Sequence, residues 1–302
     1  MAVSTIDALY SAGIVNLDSS FSSGTTGGII RLNDAGTQFG DLYEDSGNFI
    51  IASAQVDKDI IFKGNDGGGI ITAMTIDMSA GGNVGIGTTS PTLPLDIVSN
   101  GAADALKIRA RPTSDDYGTL TFYNNAGTTK WADIQSNVAK DLRFYTNGGT
   151  EAMRIDSSGA VTKPAQPAFS ATKSAKQSNV AINSQVTVVF ETEVFDQNND
   201  FAGSQFTAPV TGKYQLNLSL YTNELDSAAD YYIAAIQTSN RQYQNVIDPG
   251  AFAGDAVYWN QGVSVLADMD ANDTAYVFIQ QGNGNQQADV ATPSLFTGYL
   301  VA

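Results

Sequence analysis

The 302-residue chain carries 15 Lys and Arg against 31 Asp and Glu, a formal net charge of −16, and it contains neither Cys nor His. Without a thiol or an imidazole it has no cysteine nucleophile, no histidine base for a serine triad and no Cys/His zinc site. Its acidic balance disfavours binding to nucleic acid or to anionic membrane surfaces, and without a run of ~18 apolar residues membrane insertion is not expected.

Carboxylate-only chemistry survives this census, because glycoside hydrolysis needs only two acids at the right separation. The length favours two or three domains. The start, Met1-Ala2-Val3-Ser4, has no basic segment leading into an apolar run, so no signal peptide is expected. The lack of Cys suits folding in a reducing cytoplasm.

Residues 1–28 read as an attachment segment and linker. Ser4 and Asp7 predict a short capped helix through Ile6, Leu9 and Tyr10, and Ser19 to Gly28 (SSFSSGTTGG) reads as a flexible tether. Met1 to Leu17 is the stretch expected to touch a larger assembly, although a frayed terminus would explain the same residues.

Residues 29–97 and 98–163 read as two related β-rich units. Lys58-Asp59-Ile60-Ile61-Phe62 echoes Lys140-Asp141-Leu142-Arg143-Phe144 at an offset of 82, and Met74-Thr75-Ile76-Asp77 echoes Met153-Arg154-Ile155-Asp156 at 79. Gly82-x-Val84 echoes Gly159-x-Val161 at 77, so three blocks recur in one order, as a duplication would leave them. Clusters such as Gly64-Asn65-Asp66-Gly67-Gly68-Gly69 and Asn147-Gly148-Gly149 punctuate short strands, where positive φ costs Gly and Asn little. Few of these strands can close a core alone, and burial against two other copies of the chain would supply one.

Gly82-Asn83-Val84-Gly85-Ile86-Gly87-Thr88-Thr89-Ser90-Pro91, followed by Leu93-Pro94-Leu95-Asp96-Ile97, has no third Gly, no Lys and no helix to open, so a phosphate loop is disfavoured. It resembles the GNVGIGT-x-x-P segment of bacterial-virus fibres and tail spikes and of some adhesins, which implies a trimeric β-rich shaft.

Residues 164–302 carry the clearest pattern. Phe206 is followed after five residues by Gly212, and Tyr214, Leu216, Leu218 and Leu220 then alternate with Gln215, Asn217 and Ser219, predicting a strand with one apolar face. Gly212, after Ala208-Pro209-Val210-Thr211, reads as a turn residue with positive φ. The spacing and the ending Phe296-Thr297-Gly298-Tyr299-Leu300 resemble complement C1q/TNF-like domains, with Leu216 and Leu218 standing where that family has aromatics. The resemblance implies a trimeric jelly-roll head in which Phe206, Gly212, Tyr214, Phe296 and Gly298 are structural.

Within this head Ser239 to Gly262 reads as a long polar-aromatic loop. Its Arg241, Tyr243, Tyr258 and Trp259 are the receptor-contact candidates, since flat apolar faces and fixed donors suit a glycan or protein receptor. Packing in the sandwich or at a subunit interface would explain Tyr258 and Trp259 as well. Gly282 to Asp289 (GNGNQQAD) reads as a polar turn, and Asp268, Asp270 and Asp273 as a turn before a strand, lacking the Gly and Glu of a calcium loop.

These readings and the two resemblances combine into an all-β protein: an elongated homotrimeric fibre with β-rich shaft repeats and a C-terminal C1q-like jelly-roll β-sandwich. The function they imply is that of a structural virion fibre of a bacterial virus, held to a virion protein by its N-terminus and presenting the head to a host-surface glycan or protein. A decoration or neck fibre without a receptor, and a fibre-borne glycan depolymerase using paired carboxylates, are the alternatives. No catalytic residue, cofactor or metal ligand is assigned. Three associated chains carry three times −16, so screening by salt or a bound divalent cation is expected.

Overall fold

The computed structural model describes residues 30–99, 104–109 and 117–302, and the chain divides into two compact units, Met1–Ile108 and Arg109–Ala302. The helix expected from Ser4, the tether and the attachment segment lie outside the described residues.

In the first unit β1 (Ile30–Asp34), β2 (Thr37–Asp45) and β3 (Asn48–Ser53) form an antiparallel three-stranded sheet. A second sheet contains β4 (Ile60–Asp66), β5 (Gly69–Asp77), β6 (Asn83–Ile86) and β7 (Leu95–Ile97), the last pair parallel. Gly82 and Gly87, which flank β6, have φ of 88° and 72°, and a Cβ on Gly85 would lie 2.6 Å from the Thr88 carbonyl oxygen. The glycines of this motif thus serve a tight strand-to-strand connection, and no helix follows them.

The second unit opens with a five-stranded meander: β8 (Gly118–Tyr123), β9 (Lys130–Ser136), β10 (Leu142–Thr146), β11 (Thr150–Ile155) and β12 (Val161–Thr162). Its last three strands repeat β4–β6 pair for pair. Phe62 faces Met74 with a bulge immediately after it, and Phe144 faces Met153 with the same bulge. Ile60 pairs with Ile76 and Leu142 with Ile155, while Ile76 meets Val84 and Ile155 meets Val161. Residues that match in sequence therefore occupy the same register.

The rest of the second unit is the head. Its strands are β13 (Ala168–Thr172), β14 (Gln185–Thr187), β15 (Thr192–Asp196), β16 (Phe201–Ala202), β17 (Gln205–Thr207), β18 (Gly212–Leu225), β19 (Tyr231–Thr238) and β20 (Gln242–Ile247). After a 3-10 turn at Pro249–Ala251 come β21 (Ala256–Met269), β22 (Thr274–Gly282), β23 (Asp289–Val290) and β24 (Leu295–Leu300). One sheet runs β15-β13-β24-β18-β21 with β23 beside β18, and the other runs β16-β17-β22-β19-β20 with β14 beside β22. The first and last long strands are neighbours, which closes a jelly-roll sandwich.

Tyr214, Leu216, Leu218 and Leu220 point into the sandwich and are buried, while Gln215, Asn217 and Ser219 on the other face are linked by hydrogen bonds to Ser264 and Asn260. Every buried Ala, Val, Leu, Ile, Met, Phe and Tyr among the described residues falls between Phe169 and Phe296. Hydrophobic stabilisation within one chain is thus concentrated in the head, at about 1.5–3 kcal/mol for each large side chain buried.

Gly212 differs from its sequence reading: its φ is not positive. It begins β18 against the C-terminus, where Lys213 donates its N–H to the Ala302 carbonyl at 2.7 Å. A Cβ on Gly212 would lie 2.6 Å from that oxygen and 2.7 Å from Leu300 Cδ1, so close approach, and not turn geometry, requires glycine there. At Gly298 a Cβ would meet Phe169 Cε1 and Leu216 Cδ2, each at 2.6 Å. Gly298→Ala is expected to destabilise the head by about 1–3 kcal/mol through overpacking, and Gly298→Val by more. Thermal unfolding of the full chain followed by near-ultraviolet circular dichroism checks this; an unchanged midpoint for the valine variant would contradict the packing described.

Candidate functional site

The stretch expected as one long loop is mostly strand. Ser239 to Gly262 runs through β20, crosses between the sheets at residues 248–255 and enters β21. This separates the four candidates. Arg241 and Tyr243 lie at the end of the sandwich that holds Asp268, whereas Tyr258 and Trp259 begin β21, nine residues before Asp268 and therefore about 30 Å away along the strand.

Arg241 is already engaged. Its Nη2 and Nε donate to the two Asp268 carboxylate oxygens at 2.7 and 3.2 Å, and this fork holds the Asp268 carboxyl below the ordinary carboxylate range. Tyr243 packs against the sandwich core. Beside them Asp273 accepts from the Asp270 backbone N–H and from Asn240, forming the turn that leads into β22. Among the described residues no group of three or more Asp or Glu is placed to hold a metal.

At the other end two exposed aromatics project from opposite faces of β21. Tyr258 is 64% exposed, with its ring 6.2 Å from Tyr221, and Trp259 is 40% exposed, lying 5.1 Å from Phe252 at an interplanar angle of 33°. Trp259 has the inward parity of Gln261, Ala267 and Met269, but Gln261 is the last of these to be buried towards that end. Phe252, on the crossing segment, packs on a small second core of Leu225, Ala229, Tyr232 and Ala288. The ledge that Trp259 and Phe252 form therefore sits on a fixed base.

That base is tied together by Asp226, which the sequence reading passed over. Its carboxylate accepts backbone N–H groups from Ala228 and Gln286 at 2.8 Å each and from Asn285, while its own N–H donates to the Tyr232 hydroxyl at 2.8 Å. The polar turn 282–289 thus wraps a carboxylate, and Gly284 (φ 97°) is needed there because a Cβ would lie 2.8 Å from Asp226 Oδ2. The Gln286 N–H, then that of Ala228, pulls the Asp226 carboxyl below its ordinary 3.8 against the opposing effect of burial. Burial pushes the Tyr232 hydroxyl up to about 12.

Phe206, Tyr214 and Phe296 line the main core and leave no surface for a ligand. Phe206 stacks 4.8 Å from Phe169, and the Tyr214 hydroxyl donates to the Val210 carbonyl at 2.7 Å.

The family comparison agrees with this architecture. Residues 168–301 match the family model of the C1q domain, so the head carries a C1q-like fold. The globular domain of zebrafish complement 1qA is 17% identical over 45% of this chain and 98% of its own, with a TM-score of 0.35. Murine APRIL is 10% identical over 45% of this chain and 99% of its own, with TM-scores of 0.32 and 0.34 for two of its crystal structures. No curated protein matches the chain.

A carboxyl whose pKa is lower folded than unfolded stabilises above its unfolded value, and that contribution is lost as pH falls through the folded one. The 282–289 turn is therefore expected to hold at pH 5 and to loosen below 3.8, with amide exchange of Asn285 and Gln286 as the readout. Asp226→Asn should exchange fast at both pH values; protection in that variant equal to wild type would show that the carboxylate does not organise the turn.

Proposed function

We propose that this protein is a structural fibre of a bacterial virus: a homotrimer held to a virion protein by residues 1–28, with shaft units at 29–97 and 98–163 and a head at 164–302 that meets a host-surface glycan or protein. It is made in the host cytoplasm and acts on the virion. The observation that carries this reading is the division of apolar burial, with a complete core in the head and none in the sheets of residues 30–162. A chain built as a self-sufficient head on sheets that need partners suits a stalked oligomer, and C1q/TNF-like domains typically trimerise.

Tyr258 and Trp259 are the receptor contacts this reading favours, because both are exposed and Trp259 is braced from below by Phe252. Arg241 is the weaker candidate, its fork already filled by Asp268. The decoration-fibre alternative needs the same trimer and no receptor. The depolymerase alternative has less support: Asp133, one of the shaft acids, is held by Lys130 at 2.5 Å.

The full chain is expected to have a light-scattering mass near three times 31.8 kDa and to bind saturably to some members of a panel of bacterial strains. Trp259→Ala should keep that mass and bind roughly thirtyfold more weakly, the loss of about 2 kcal/mol that marks a central aromatic contact. Binding to no strain would favour the decoration fibre, unchanged binding by the variant would remove the ledge from the interface, and a monomeric mass would defeat the fibre reading.

A further inference from the structure

The five-stranded sheet of the second unit has two opposite faces. Leu120, Ile134, Phe144 and Met153 form one row straight across β8 to β11, and Leu142, Ile155 and Val161 form most of the next, so this face holds no charge. The reverse face carries Thr119, Gln135, Arg143, Arg154 and Thr162 in one row. There Arg143 pairs with Asp141 at 2.7 Å and Arg154 with Glu151 at 2.8 Å, cross-linked by Arg143–Glu151 at 3.7 Å and Arg154–Asp141 at 3.8 Å. Charged groups paired with one another can face water, whereas a continuous apolar face needs a cover. No residue of that face is buried, and Val161 remains 56% exposed.

We propose that the apolar face of the β8–β12 sheet is buried against the same face of two other copies of this chain, with the ion-pair face turned outward. The inference rests on the trimeric reading above and names the surface that joins the shafts. Three observations favour copies of the chain over a foreign partner. The face recurs, because the matching positions Ile60, Phe62, Met74, Ile76 and Val84 share one face of the β4–β7 sheet, and self-association satisfies both repeats in the same way. The face is uncharged in a chain of net charge −16, so copies can meet there without bringing like charges together. The head also delivers the partners: β12 ends five residues before Pro167, and Gln197 Nε2 donates to the carbonyls of Lys163, Pro164 and Gln166 at 2.9, 3.1 and 2.8 Å. Heads assembled as a trimer would therefore hold three such sheets at high effective concentration.

The absence of native Cys makes the test direct, since an introduced cysteine is the only thiol. Val161 and Thr162 are adjacent, both exposed in the single chain, and on opposite faces; Leu120 is more exposed in the single chain than Thr119, its neighbour on the reverse face. Val161→Cys, Thr162→Cys, Leu120→Cys and Thr119→Cys are made in the full chain, their mass is measured by light scattering and their alkylation by a maleimide is timed. The Val161→Cys and Leu120→Cys thiols should react at least about tenfold more slowly than their reverse-face neighbours, inverting the order that single-chain exposure gives for Leu120 and Thr119. Equal rates in a trimer would overturn the inference and leave the trimeric fibre standing. Equal rates in a monomer would remove both, and protection appearing only in assembled particles would assign the face to another virion protein and overturn the inference.

Discussion

The ring of Phe169 lying on the bare backbone of Gly298 is the contact on which the head depends. Phe169 stands on the first strand and Gly298 on the last, paired directly across the ladder. The same ring stacks at 4.8 Å on both Phe201 and Phe206 and meets Phe296 edge-on at 5.0 Å. One side chain thus ties the two ends of the domain to both sheets, and it can do so only because position 298 has no Cβ. With this centre closed, β18 and β21 are held along their full lengths, and their far ends can carry loops whose shapes the core does not dictate.

Those loops were the least legible part of the sequence. The alternation from Tyr214 to Leu220 announces a half-buried strand because period-two burial leaves its mark locally. The role of Asp226 leaves none, since its partners Asn285 and Gln286 lie 59 and 60 residues away, and neither side of the contact shows a pattern of its own. Trp259 illustrates a different limit. Composition marks a polar-aromatic stretch but does not tell that β21 outruns the sandwich, leaving an inward-parity residue partly exposed against Phe252. Gly212 stands out by its spacing from Phe206 and reads locally as a turn residue, yet what demands it is the approach of Leu300 and Ala302, some 90 residues away.

The sheets of residues 30–162 invert this balance between local and distant. Their turns are self-contained: Asp77 Oδ1 accepts from Ala80 N at 3.0 Å and from Ser79 Oγ at 2.7 Å, and the matching Asp156 accepts from Ala160 N at 3.0 Å and from Ser158 N and Oγ at 2.8 and 2.6 Å. Such bonds between near neighbours set the register wherever the motif recurs, which is why the duplication was readable from short blocks of sequence. Local bonds do not supply a core. Short turns and narrow strands order the backbone, and the entropy cost of that order is recovered only when apolar faces leave water.

A chain divided this way separates what must be specific from what must be repeated. The head is closed on itself, so its surface can vary at the Tyr258 and Trp259 end without reopening the Phe169 centre, which lies between other strands. Among the described residues, the sheets of residues 30–162 bury no large apolar side chain within one chain, so a position such as Phe144 is constrained by whatever covers that face. In the proposed trimer a charge placed there would be met by its own image from every neighbour, a penalty that a single copy of the chain does not feel. The paired charges of the β8–β12 sheet lie on the opposite face, where Arg143 and Arg154 balance Asp141 and Glu151 within one chain.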